Sequence, residues 1–183
     1  TTGAVIGEDT YDVGFHVTTP DAFHIQRFMK QALGTQGVGN TYMILEVTSH
    51  ALDQNRIWGI PFEIGIVTNI TPEHLDYHKT FENYIKTKAK LFKKAKTIIL
   101  NKDDKVFEEV VTYVPENKKC LTYGIIDPLV SVSPKTFSFE TTMRESYNHY
   151  NILAAITACR ELGIPDASIR KGIKTFTPPA GRG

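Results

Sequence analysis

The sequence predicts an α/β fold: a mainly parallel sheet flanked by helices on both faces, with a small antiparallel hairpin at one edge. Three observations predict it. Short β-rich apolar runs, "TYMILEV" (41–47), "FEIGIVTNI" (62–70) and "TIIL" (97–100), alternate with helix-patterned segments at 81–94 and 104–113. "LTYGI" (121–125) adds a further strand to the same rhythm. "VSVSPKTFSFET" (130–141) breaks that rhythm, and its alternation around Ser-Pro-Lys predicts the hairpin.

The first helix is "TPDAFHIQRFMKQALG" (19–34), with Asp21 near its start, Phe23, Ile25, Phe28 and Leu33 as apolar positions, and Gly34 as a stop. The glycine-rich "GTQGVGN" (34–40) has no lysine and lies between a helix and a strand, the wrong context for a phosphate loop. It reads as a helix stop and turn. The runs at 41–47 and 62–70 end near Glu46 and Thr68-Asn69. Ligands of open parallel sheets bind beyond the carboxyl ends of the strands, so these polar residues are either candidate site positions or loop caps. Thr80 is a plausible N-cap for the 81–94 helix. "YNILAAITACRELG" (150–163) is a helix ended by Gly163, and Pro165 and Asp166 open another, "DASIRKGIKTF".

The 183 residues suffice for one α/β domain with a real core. An apolar share of 41% and a charged share of 22% are ordinary for a globular protein. A net charge of +1 provides no global field toward nucleic acid or an anionic membrane. No apolar run is long enough to span a bilayer and no signal peptide opens the chain, so a cytoplasmic protein without membrane insertion is expected. Cys120 and Cys159 are far apart, lack metal spacing, and read as reduced thiols packed as small hydrophobes. The start at Thr1 and the end at "PPAGRG" look like cuts in a larger protein.

At about 100° per residue, Phe81, Tyr84, Ile85, Leu91 and Phe92 share one helical face, and Lys88 falls in its middle. Lys86, Lys90, Lys93 and Lys94 lie on the other side and form a solvated surface. Lys88 either snorkels to water or is held inward, where desolvation favours the neutral amine. A neutral amine is nucleophilic, or reacts with carbon dioxide to give a carbamate, an anion suited to a hard metal ion. His74, Asp76 and His78 sit two residues apart, between strand and helix. Such residues serve several divalent metals, but the other histidines add no second cluster, and on spacing alone the structural reading wins.

The block "LEVTSHALDQNRIWGIPFEIGIVTNITPEHLDYHKTFENYIKTKAKLF" closely resembles the central domain of the Mur ligases, most of all their tripeptide-synthetase (MurE) branch. "VTTPD" (17–21), "LNKDD" (100–104) and "NHYNILAA" (148–155) extend the likeness over nearly the whole chain. The resemblance implies a P-loop NTPase-like central domain over residues 1–183, with the P-loop, the N-terminal UDP-binding domain and the C-terminal ligase domain outside it. It implies ATP and Mg²⁺ as cofactors, with UDP-N-acetylmuramoyl-dipeptide and a free amino acid as substrates. ATP phosphorylates the terminal carboxylate, and the amine attacks the acyl phosphate. A monomer is expected.

The resemblance also assigns residues. Lys88 matches the family's carbamylated lysine, and Glu46 and His74 match the other residues of its Mg²⁺ site and catalytic centre. Thr18, Thr19, Thr48, Gln54 and Arg56 match groups contacting the UDP-sugar peptide. Asn148 and Asn151 match asparagines lining the adenine side of the nucleotide site, which Asn69 also borders, and Arg182 matches an arginine near the ATP phosphates. Asp76 and His78 take an orienting role. Thr48 stands where serine is usual and Glu73 where aspartate is common, and Gly183 departs from the family pattern. The stretch between Asp127 and the expected hairpin is short for the family. Three alternatives remain at this stage: a folylpolyglutamate synthetase-like ligase, a metallohydrolase built on His74, Asp76 and His78, and a non-catalytic UDP-sugar-binding homologue.

Overall fold

A computed structural model describes residues 3–7, 9–12, 18–35 and 42–178. The chain divides into two compact units, the first made of Thr1–Ile60 and Leu75–Lys90, the second of Pro61–His74 and Leu91–Gly183.

In the first unit, β1 (Gly3–Ile6) and β2 (Asp9–Asp12) form an antiparallel pair in which Ala4 faces Tyr11 and Val5 faces Thr10. Helix α1 (Ala22–Thr35) follows. Asp21 caps it as expected, its Oδ1 accepting from the Phe23 and His24 amides at 3.0 Å each. Ile25 is fully buried, whereas Phe23 and Leu33 stand in the open. The apolar face of α1 is therefore narrower than its composition implies, and the helix runs through Gly34. Two short helices complete the local order, α2 (Ser49–Asp53) and the single turn α3 (Leu75–His78). Ala51, Leu52, Ile57 and Ile60 are buried here, as are Tyr84, Ile85 and Ala89 of α4 (Phe81–Lys94). Thr80 caps α4, its hydroxyl accepting from the Asn83 amide at 3.1 Å.

The second unit holds the parallel sheet: β3 (Phe62–Val67), β4 (Ala95–Asn101) and β5 (Lys119–Tyr123), in the order β3-β4-β5. Both of its ladders are parallel, with Gly65 facing Ile98 and Ile98 facing Cys120. Alternation along β4 separates two faces. Ile99 packs with Leu153 and Ile156 of α6 (Ser146–Glu161) and Ile169 of α7 (Asp166–Thr175). Leu100 turns the other way, toward Phe107 and Val110 of α5 (Phe107–Val111). Gly163 ends α6 with φ +73°, a conformation that strains side chains bearing a Cβ.

Four expectations are corrected. Residues 42–47 form no strand, and Ile44 is 97% exposed. The main chain here bonds instead to the Thr19 hydroxyl, at Glu46 O (2.9 Å) and Thr48 N (3.1 Å). β-propensity marks a side chain suited to a pleated surface and does not supply the neighbouring strand. The 130–141 segment is no hairpin. Val132 makes one parallel bridge to Tyr123, and a turn at Ser133–Phe137 then carries Phe137 into the α6–α7 core. The 104–113 helix is reduced to Phe107–Val111, because Asp104 turns the chain and accepts the Val106 amide at 3.2 Å. Cys120 is exposed on β5 instead of packed, while Cys159 is half-buried, and both thiols are free.

Candidate functional site

In the first unit, Thr19 is the internal tie. It is 1% exposed. Its hydroxyl donates to Glu46 O and accepts the Thr48 amide, and its carbonyl accepts Arg56 Nη1 at 2.8 Å. Arg56 Nε donates to Gln54 Oε1 at 2.9 Å, and Thr48 caps α2 by accepting the Ala51 amide at 3.2 Å. Thr19, Thr48, Gln54 and Arg56 therefore belong to one hydrogen-bonded cluster, with half-buried Thr18 beside it in the chain. The Thr19 hydroxyl is committed inside, while Gln54 is exposed and Arg56 half-buried. Glu46 presents an exposed carboxylate from the same cluster.

The "LDYH" turn and α4 form the second part of this unit's polar centre. His78 is buried, and its Nε2 shares a 2.9 Å hydrogen bond with the Ser49 hydroxyl at the start of α2. The His50 ring lies 4.3 Å from Tyr77, and the Tyr77 ring meets His78 edge-on at 4.8 Å. Asp53 accepts Lys90 Nζ at 2.6 Å and the Tyr77 hydroxyl at 2.9 Å. Those two donors, Lys90 foremost, hold the Asp53 carboxyl below the usual carboxylate range. A shallow pocket lies among Asp53, Tyr77, His78, Asn83, Lys86 and Lys90. Lys88 is half-buried, with Nζ 5.2 Å above the Tyr84 ring centre. Helical phase located it correctly on the apolar face, and a cation–aromatic contact accompanies it there.

In the second unit, polar residues gather at the carboxyl ends of the strands. The Thr68 hydroxyl donates to Asn69 Oδ1 at 3.2 Å, and Thr68 O accepts the buried Tyr123 hydroxyl at 3.3 Å. His74 is exposed with φ +55°. Asp104 Oδ2 accepts the Ile70 amide at 2.8 Å. Asp103 accepts the amides of Ile125 (2.6 Å), Ile126 (2.9 Å) and Asp127 (3.0 Å) and the Tyr150 hydroxyl (3.0 Å). Burial pushes the Asp103 carboxyl up, but these donors outweigh it and leave it below the ordinary value. Burial and then Asp103 push the Tyr150 hydroxyl up. Asn148 and Asn151 project from the first turns of α6, three residues apart and so on one face, Asn148 half-buried and Asn151 exposed.

Glu46 and Lys88 thus belong to the first unit, and His74, Asn69, Asn148 and Asn151 to the second. Arg182 lies outside the described residues, as do most of "GTQGVGN" and Val17 of "VTTPD". Among the described residues, no three His, Cys, Asp or Glu side chains could together hold a metal ion. Asp76 faces solvent while His78 points inward to Ser49, so these two do not form the paired ligands of a hydrolase centre. The Ser49–His78 pair and the Asp103 hub escaped sequence reasoning. The only signal for the hub was the "LNKDD" motif, which carried no role, and its partners lie 22 to 47 residues away.

A family model described as the Mur ligase middle domain matches residues 1–159. The chain is similar to the UDP-N-acetylmuramoyl-L-alanyl-D-glutamate--2,6-diaminopimelate ligase 1 of Clostridium acetobutylicum, 34% identical over 91% of this chain and 37% of that protein. It is also similar to UDP-N-acetylmuramyl-tripeptide synthetase 2 of Oceanobacillus iheyensis, 32% identical over 100% of this chain and 41% of that protein. A solved UDP-N-acetylmuramoyl-L-alanyl-D-glutamate--2,6-diaminopimelate ligase matches with a TM-score of 0.79 and 25% identity, over 90% of this chain and 38% of that one. The chain therefore spans roughly two fifths of the length of these relatives. With the family model covering most of its length and the parallel sheet matching in three dimensions, the chain belongs to the Mur ligase family, as a middle domain.

Proposed function

We propose that this chain is the central, ATP-handling part of an amide-bond ligase of peptidoglycan synthesis, which adds the third amino acid to UDP-N-acetylmuramoyl-dipeptide. The observation that carries the reading is the single hydrogen-bonded cluster of Thr19, Thr48, Gln54 and Arg56. Four of the five residues that the family likeness assigns to the UDP-linked substrate meet in it. Gln54 and Arg56 offer polar groups to the peptide, and Thr19 and Thr48 fix the turn that presents them. Asn69, Asn148 and Asn151 serve the nucleotide, and Arg182 serves its phosphates.

The donor chemistry fits Mg²⁺ in part: Glu46 offers exposed carboxylate oxygens, and a carbamate on Lys88 would offer two more. Bound Mg²⁺ supplies charge neutralisation where ATP meets a substrate carboxylate. The chain's own task is to hold that carboxylate and the nucleotide apart from bulk water and in line. The amine then displaces phosphate from the acyl phosphate. The amine-binding domain and the phosphate loop are proposed to lie in further parts of the protein, which we take to be a cytoplasmic monomer. The names of several relatives make 2,6-diaminopimelate the first amine to try.

The test uses the full-length protein and measures phosphate release from ATP. Release is expected only when the UDP-linked dipeptide and the amino acid are both present. Lys88→Ala abolishes it, and short carboxylates restore part of it. Full activity in the unrescued variant refutes the carbamate. Residues 1–183 alone are expected to turn over no ATP, and steady hydrolysis by them would contradict the division of labour proposed here.

A further inference from the structure

Asp103 stands just past β4, in the second unit. Its own amide donates to Asn101 Oδ1 at 3.1 Å. Four donors then converge on it, the successive amides of Ile125, Ile126 and Asp127 and the hydroxyl of Tyr150. Three of them share Oδ2 and the Asp127 amide takes Oδ1, so one carboxylate ties together four donors of this chain. Oδ2 accepts Ile125 N, Ile126 N and Tyr150 Oη, which brings the loop after β5 and the start of α6 to one atom. Gly124 leaves room for this, since a Cβ there would come within 3.0 Å of both Asp103 oxygens. Tyr150 lies between Asn148 and Asn151 in the first turns of α6.

We propose that Asp103 is a positioning residue for the nucleotide: by clamping the 124–127 loop and Tyr150 to the end of β4, it sets where Asn148 and Asn151 stand. This rests on the reading of those asparagines as the adenine side of the site. Charge-assisted hydrogen bonds from rigid amides are directional and short. A carboxamide at this position keeps one accepting oxygen, loses the charge, and turns its NH₂ group toward at least one amide that already donates, which loosens the clamp. Asp103 touches no substrate in this role and acts only through the helix.

The experiment measures KM for ATP and for the UDP-linked dipeptide in the full-length protein, for Asp103→Asn, Tyr150→Phe and, as a benchmark, Asn148→Ala. Asp103→Asn is expected to raise the KM for ATP about tenfold and Tyr150→Phe about threefold, the loss of one or two hydrogen bonds. The KM for the UDP-linked dipeptide stays unchanged in both. A structural defect of general kind would raise both constants together, and that result overturns the proposal. An unchanged KM for ATP in Tyr150→Phe also overturns it, even where Asp103→Asn does not fold, provided Asn148→Ala raises that constant. An unchanged KM for ATP in Asn148→Ala rejects the reading of the asparagines, and the proposal falls with it.

Discussion

Thr19 in the first unit and Asp103 in the second do the same mechanical work with opposite chemistry. Each is one residue that gathers polar groups from distant parts of the sequence. Thr19 reaches Glu46, Thr48 and, through its carbonyl, Arg56. Asp103 reaches the 125–127 amides and Tyr150. Thr19 uses a neutral hydroxyl that both donates and accepts, sealed from water. Asp103 uses a charge that only accepts, at a half-exposed position. A neutral tie works equally at any ordinary pH, whereas a charged tie works only while it is ionised.

The comparison breaks most visibly at Asp103. Asp103→Ala leaves three amides and a hydroxyl without their acceptor, and the expected cost is about 3 kcal/mol, read from the denaturant midpoint of the protein. A loss of a few tenths would mean that water replaces the carboxylate at no penalty. Thr19→Val keeps the shape and removes the hydroxyl, and the expected cost is about 1–2 kcal/mol. Thr19→Ser, which retains the group, should recover most of it.

Acid separates the two ties. The folded state holds the Asp103 carboxyl below its ordinary value, so its contribution is complete above the unfolded value near pH 4 and drains away as pH falls through the folded one. Wild-type stability should therefore drop below about pH 4 more steeply than that of Asp103→Asn, while the deficit of Thr19→Val stays constant. Parallel acid limbs for wild type and Asp103→Asn would show that the charge is immaterial. The smallest effect is expected at the exposed Glu82–Lys86 pair on α4, 2.6 Å apart. Lys86→Ala should leave the unfolding midpoint where it is, since solvent screens such pairs.

Local pattern made the second unit's sheet legible. β3 falls within its apolar run, β4 and β5 overlap theirs and start two residues earlier, and α4 begins at the Thr80 cap and runs over the expected residues. The failures share a cause. Residues 42–47 and 130–141 have strand composition, but their main-chain partners are chosen elsewhere, by Thr19 and by the pull of Phe137 into the helices. The antiparallel pair exists, at Gly3–Ile6 and Asp9–Asp12 instead. For Lys88, counting residues around a helix gave its direction but not its depth, which depends on how the side chain meets Tyr84. The Thr19 cluster became visible through family likeness. Asp103 was visible as part of a motif, but no periodicity reveals a carboxylate whose partners are distant in sequence.

Phe137 invites a last consequence. The guanidinium carbons of Arg160 and Arg170 lie 4.7 and 4.1 Å from the centre of its ring. Two like charges on successive helices are thereby brought near one another, with only Arg160 also forked onto Asp166. The ring is a shared seat that attracts both cations. An aliphatic residue of similar bulk would keep the packing and yet strip the seam between α6 and α7 of both cation–ring contacts, leaving the Arg160–Asp166 fork to fasten it.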